Sequence, residues 1–244
     1  MGPPQRYLNK VAGWSCPSSD WQWRLAFLEN QLSVIWFQRE ASAERGGFSI
    51  IMARKTMLTD AAPRRKSREL FGESDRMRDL VLPDDGRLQK IAASLEDAMK
   101  REALEDVSRS CAEFLAVASD FYRVPMCSIR VLAARPLRAR ERSTIELFGD
   151  YQPGGRLIRV WMKTAVRKDV TSFGTFLSTL CHEFCHHLDF ERFGFRDSWH
   201  TRGFYERTAA LYHHSRMTPV KRIFWVPVRG GRWRVDWSRM NRGR

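Results

Sequence analysis

An α+β fold is what this sequence predicts, on three observations. A long apolar stripe at helical spacing runs from Leu88 to Phe121. Short segments rich in β-branched and apolar residues gather between 128 and 164. Two more helical patterns, at about 169–193 and 200–216, follow them. Strands collected in one stretch, with helices before and after, favour a small sheet of their own over a doubly wound parallel one. With 244 residues, 43% of them apolar and 12% aromatic, the chain can bury a sizeable core, which argues against disorder over most of its length.

Residues 1–51 read differently from the rest. They are rich in tryptophan, and Trp21, Leu25, Leu28, Leu32 and Trp36 recur at the spacing of an amphipathic helix. The alternative is that the native product starts at Met52 and that this segment is an extension outside it. Residues 52–87 are polar, charged and interrupted by Pro63, Pro83 and Gly86, the pattern of an arm or linker. The core is expected over 88–217. In its first stripe Leu88, Ile91, Leu95, Met99, Val107 and Phe114 lie on one face of a long helix or of two abutting helices. Asp84 or Asp85 can cap its start, and Pro125 lies past its end.

Strands are expected at 128–134, 144–148 and 157–164, the last two joined by the turn Gln152-Pro153-Gly154-Gly155. The strand at 157–164 is nearest in sequence to the helix that follows. As a sheet edge, it would accept an extended peptide by strand addition. The next helix begins near 169–172 and stops at Gly194, and another opens near His200. A C-terminal β-hairpin is expected within 218–244, turning at Gly230-Gly231, with Trp233, Val235 and Trp237 on one face and Arg232, Arg234 and Asp236 on the other. The aromatic face is expected to pack on the core while the arginines meet water.

The net charge of +14 is uneven: residues 216–244 hold nine Lys/Arg against the single acid Asp236. Such a segment suits a polyanionic partner, DNA among them, or simply solvation. Five cysteines (16, 111, 127, 181 and 185) form neither an even disulfide framework nor paired CxxC knuckles, so a reducing, cytoplasmic setting is expected. The sequence has no secretory signal pattern and no uncharged apolar run long enough to span a membrane.

The chemistry concentrates in His182-Glu183-Phe184-Cys185-His186. Residues four apart on a helix share one face, so the two imidazoles can grip one tetrahedral Zn²⁺. Glu183 stands beside them, about 100° around the helix, where a general base for a water molecule belongs. Phe173, Phe176, Leu177, Leu180, Phe184 and Leu188 place the motif on a core helix. A catalytic zinc needs a third protein ligand and one open position. Two candidates compete: His200, fourteen residues after His186, and Glu206, twenty after it. His200 is favoured because neutral imidazole suits Zn²⁺ and the residue opens a helix that can fold back on the motif.

The run Cys181-His182-Glu183-Phe184-Cys185-His186-His187, with His200-x-x-Gly203-Phe204 downstream, resembles the SprT-like zinc metallopeptidases, the family of the Spartan and Wss-type DNA–protein crosslink proteases. The resemblance spans about residues 90–215. It implies a zincin-like core of long helix, small sheet, HExxH helix and ligand-bearing helix. It further implies one catalytic Zn²⁺ held by His182, His186 and His200, and a catalytic Glu183. Two features depart from the family pattern: the glycine stands three residues after His200 rather than directly after it, and no cysteine-rich zinc ribbon follows the core.

Other candidates have plainer readings. Cys181 and Cys185 suit a helix core. Asp189 shares the metal-facing side of its helix and can buttress a ligand histidine. His187, His213 and His214 read as exposed or structural, and Tyr205, Tyr212 or His213 as candidates to stabilise an oxyanion. Three functions stand open: a zinc peptidase acting on protein or peptide substrates, the same peptidase recruited to DNA by its basic tail, and a nucleic-acid-binding module with a structural zinc.

Overall fold

Residues expected to form a loose polar arm instead carry the first helix, α1 (Arg68–Arg76). The structure, a computed structural model, describes residues 57–65, 67–140, 143–165 and 167–241; the expectations for residues 1–51 lie outside them. Helix α1 was not legible as part of the core because polar groups anchor it. Asp75 pairs with Arg202, the Ser74 hydroxyl meets that of Thr201 at 3.0 Å, and the carbonyls of Ser74 and Met77 receive Arg207. Residues 57–60 are bound as well. Val235 donates its N–H to the Met57 carbonyl at 3.0 Å, and Thr59 donates to the Trp233 carbonyl at 2.8 Å.

The apolar run from Leu88 is split between α2 (Arg87–Lys100) and α3 (Leu104–Tyr122), which pack on each other. Asp85 serves α2 from just outside it, accepting the Arg87 N–H at 3.0 Å. The chain breaks between the two helices with Glu102 at a positive φ of 54°. Leu88, Leu95, Val107, Phe114 and Leu115 are fully buried at this contact and form the centre of the core. Each such side chain contributes about 1.5–3 kcal/mol by leaving water.

The sheet has three strands in the order β1–β5–β4, with β1 (Ser128–Ala134) parallel to β5 (Leu157–Lys163) and β4 (Gly149–Gln152) antiparallel to it. A separate hairpin, β2 (Leu137–Arg140) with β3 (Ser143–Glu146), takes the place of the single strand expected at 144–148. Strand β4 went unforeseen because its Gly149 and Asp150 are poor strand formers and it runs into the Pro153–Gly155 turn. One expectation is overturned. Strand β5 lies between β1 and β4 with both edges paired, so no extended peptide can add along 157–164.

Helix α4 (Phe173–Glu191) starts at Ser172, whose hydroxyl accepts the Thr175 N–H at 3.3 Å, and Gly194 follows its end at a φ of 74°. It packs on β4 and β5 on one side and on α5 (Arg202–Ser215) on the other, with α2 and α3 also in contact. Every residue from Thr179 to Asp189 is buried. Helix α5 is capped by Thr201, which accepts the Phe204 N–H at 3.1 Å. The expected C-terminal hairpin is present as β6 (Trp225–Val228) and β7 (Arg232–Val235), turning through Gly230 and Gly231 at positive φ, and a short helix, α6 (Trp237–Asn241), follows. Among the described residues, no helix is long and apolar enough to cross a membrane. The whole is an α+β architecture.

Candidate metal centre

Eleven consecutive buried positions on α4 include five that carry His, Glu or Asp. Burying such groups is costly unless each finds a partner. His187 finds two: its Nε2 lies 2.7 Å from the Pro125 carbonyl and its Nδ1 2.9 Å from the Tyr151 hydroxyl, so it is structural. Asp189 finds Ser198 at 2.9 Å and Arg207 at 2.8 Å. Burial raises its carboxyl to about 6 against the opposing pull of Arg207 and Ser198, and the buried Arg207 guanidinium beside it requires an anion.

His182 and His186 find each other and His200. The Nε2 atoms of His182 and His186 are 3.1 Å apart, and those of His182 and His200 are also 3.1 Å apart. The three residues offer one ligand atom each, all within 4.8 Å of one another. Phe204, fully buried, lies against all three rings, with centroids 4.9, 4.4 and 5.2 Å from those of His182, His186 and His200.

A neutral imidazole Nε2 has one proton or one lone pair, so the His182 nitrogen cannot make two good in-plane hydrogen bonds to two other Nε2 atoms at once. A cation at their focus removes that conflict. Two nitrogens bound to one tetrahedral zinc at about 2.0–2.1 Å stand roughly 3.3 Å apart, close to the spacing found. The protonation state suits a cation as well: burial, and then the neighbouring His182 and His200, hold His186 well below the ordinary histidine range and keep it neutral. The triad can therefore hold a metal ion.

Comparison of the chain with protein-family models, curated proteins and solved structures gives no match. What the site does must be argued from its own geometry.

Glu183 is the one acid of this group left without a partner. It is fully buried, and neither of its carboxylate oxygens has a hydrogen-bond partner among the described residues. Burial raises its carboxyl well above the usual range, and the nearby charge of Asp150 adds to the effect. Gly149 makes room for it: a Cβ there would stand 3.0 Å from Glu183 Oε1 and 2.6 Å from the Thr179 methyl. The edge strand β4 thus runs against the carboxylate at its glycine.

The other candidate ligand, Glu206, is placed elsewhere. It accepts the Trp225 indole N–H at 2.8 Å and pairs with Arg78 at 3.4 Å, outside the histidine group. Cys181 and Cys185 are buried thiols raised by desolvation and take no part in the cluster. His213 contacts Thr218 and His214 contacts Gln89. Of the oxyanion candidates, Tyr212 is bonded by Arg216, and Tyr205 donates to the Leu58 carbonyl at 3.3 Å while stacking on His200.

Three supporting residues escaped the sequence reading. Asp60 accepts the His200 backbone N–H at 2.8 Å and lies 3.4 Å from its Nδ1. Ser198 stands between His186 Nδ1, at 2.6 Å, and Asp189. Arg207 closes this chain from α5 and is 1% exposed. The last was partly legible, because Phe204, Arg207 and Leu211 share one inward face at helical spacing and an arginine there requires a buried acid.

Proposed function

We propose that the chain is a zinc-dependent metallopeptidase with a zincin-like core, in keeping with its resemblance to the SprT-like family. His182, His186 and His200 hold the ion, and Glu183 is the general base. The observation that carries this reading is the meeting of three imidazole Nε2 atoms, two of them from a helix whose intervening Glu183 is a buried carboxylate with no hydrogen-bond partner among the described residues. Three protein donors suit a catalytic zinc, which keeps a position open, better than a structural one, which closes with four. This favours the enzyme over a nucleic-acid-binding module with a structural zinc.

A Zn²⁺ ion in such a set supplies Lewis-acid polarisation of a carbonyl and lowers the pKa of water toward about 7. Glu183 takes the proton of the attacking water and passes it to the leaving amine. Phe204 and the buried walls of α4 and α5 enclose the His182 and His186 imidazoles, while the His200 side chain remains 17% exposed.

Glu183→Gln keeps shape and removes the base. The expected result is one equivalent of zinc, as in wild type, with cleavage of an unfolded protein such as casein reduced by at least about a hundredfold. Cleavage unchanged in this variant would refute the role of Glu183.

A second reading adds DNA as a partner. It is favoured by a cleft of about 590 Å³ between α5 and the C-terminal segment, where Lys221, Arg222 and Arg239 lie beside Phe224, Trp225 and Trp233. This reading predicts DNA binding that weakens steeply with salt, and cleavage stimulated by DNA. Binding insensitive to salt, or cleavage indifferent to DNA, would remove it.

A further inference from the structure

We propose that Ser198 is a positioning residue of the metal centre, obliging His186 to carry its proton on Nδ1 and so directing the bare Nε2 toward His182. The inference rests on the three histidines being metal ligands, although the tautomer is a property of the protein alone.

The deduction starts at the buried end of the chain of contacts. Arg207 sends Nη1 to the Ser74 carbonyl at 3.2 Å and to the Met77 carbonyl, and Nη2 to Asp189 Oδ1 at 2.8 Å. A guanidinium stays protonated, and a buried one requires an anion beside it. Asp189, with no exposure of its own, is that anion. An ionised carboxylate only accepts hydrogen bonds. The hydroxyl of Ser198, 2.9 Å from Asp189 Oδ2, therefore gives its single proton to Asp189.

That leaves Ser198 Oγ with lone pairs alone toward His186 Nδ1, 2.6 Å away. Two acceptors do not sit that close, so Nδ1 carries the hydrogen and donates it. A neutral imidazole has one N–H, and its other nitrogen is then bare. That nitrogen is Nε2, which faces His182 Nε2 at 3.1 Å.

The consequence reaches beyond one ring. The direction of each hydrogen bond is set by Arg207, and Arg207 is held by carbonyls at the C-terminal end of α1. Helix α1, polar and remote in sequence, thus helps fix which nitrogen of His186 is available. Ser198 touches neither the reacting atoms nor the ion; it acts through His186.

Two readouts test this. Long-range ¹H–¹⁵N spectra of the metal-free protein report the tautomer of each histidine, and Co²⁺ titration reports affinity. In wild type, His186 should appear with its proton on Nδ1. Ser198→Ala should mix the two tautomers at His186 and weaken Co²⁺ binding about ten- to a hundredfold. Ser198→Thr, which keeps the hydroxyl, should restore both. A role in stability alone would move the unfolding midpoint and leave the tautomer unchanged.

A wild-type His186 protonated on Nε2 overturns the proposal without any variant, and so does Ser198→Ala binding Co²⁺ like wild type. Wild type with the expected tautomer but no saturable Co²⁺ binding overturns the metal reading itself, and the role of Ser198 with it.

Discussion

Asp60 holds His200 by both of its backbone polar groups. Its Oδ2 accepts the His200 N–H at 2.8 Å, and its own N–H donates to the His200 carbonyl at 3.0 Å. The same carboxylate lies 3.4 Å from the ring Nδ1. Because residues 57–59 pair with β7, the third histidine is tied through Asp60 to the C-terminal hairpin. Asp60→Ala should therefore loosen His200 while leaving His182 and His186 in place on α4. The expected effect is a roughly tenfold loss of Co²⁺ or Zn²⁺ affinity, read by competition with a chelating dye. Unchanged affinity would show that the clamp is dispensable.

Gly203 marks a close approach of α5 to the end of α1. A Cβ there would fall 2.1 Å from the Ser74 carbonyl oxygen and 2.5 Å from that of Met77, both backbone atoms that cannot step aside. Gly203→Ala should cost about 3 kcal/mol, measured as a shift in the urea midpoint at constant slope. The glycine's position three residues after His200 follows from this contact with α1.

Gly149 governs Glu183 in the same way. Gly149→Ala pushes a methyl group to 3.0 Å from Glu183 Oε1 and 2.6 Å from the Thr179 methyl, so the carboxylate must move. None of the three histidines is among the atoms it meets. Turnover should fall at least about tenfold while zinc content stays at the wild-type value, since a small displacement of a catalytic group is enough for such a loss. Loss of zinc together with turnover would place the defect elsewhere.

The buried histidines should make acid costly to the metal-free protein. Burial holds His186 and His187 below the ordinary histidine range; repulsion from His182 and His200 adds to this for His186, while the Pro125 carbonyl partly opposes it for His187. Below about 6.5 the unfolded chain takes up protons at these positions and the folded chain does not, so the unfolded state binds more protons. The contribution of these two histidines to stability should thus be fully present above about 6.5 and decline as pH falls through and below it. The buried carboxyls of Glu183 and Asp189 act in the opposite sense over this range, so the histidine contribution is read as a difference: between pH 7.5 and pH 5.5, chelator-treated His187→Gln should lose less stability in urea than wild type, and an equal or larger loss would contradict it.

The parts of this molecule that announce themselves in sequence are those held by repeating apolar patterns or by local turn chemistry. The stripe from Leu88, the motif helix capped by Ser172, and the hairpin at Gly230-Gly231 belong to this class. That His182 and His186 meet was legible because a four-residue spacing on a helix fixes their shared face. The elements that escaped are held by long-range polar contacts. Helix α1 docks through Asp75, Ser74 and main-chain carbonyls, and β4 lacks strand-forming residues at Gly149 and Asp150. Asp60 and Ser198 act only through partners 140 and 12 residues away, and no local pattern marks them. The choice between His200 and Glu206 needed the fold for the same reason. Both lie near the start of α5, and only the direction each takes from there separates them.

Zinc content of wild type, His200→Ala and Glu206→Ala, each purified and dialysed in parallel, tests the central claim most directly. The account predicts one equivalent in wild type, most of it lost in His200→Ala, and full occupancy in Glu206→Ala, whose carboxylate serves Trp225 and Arg78. Zinc retained without His200 and lost without Glu206, or no zinc in wild type, would contradict it.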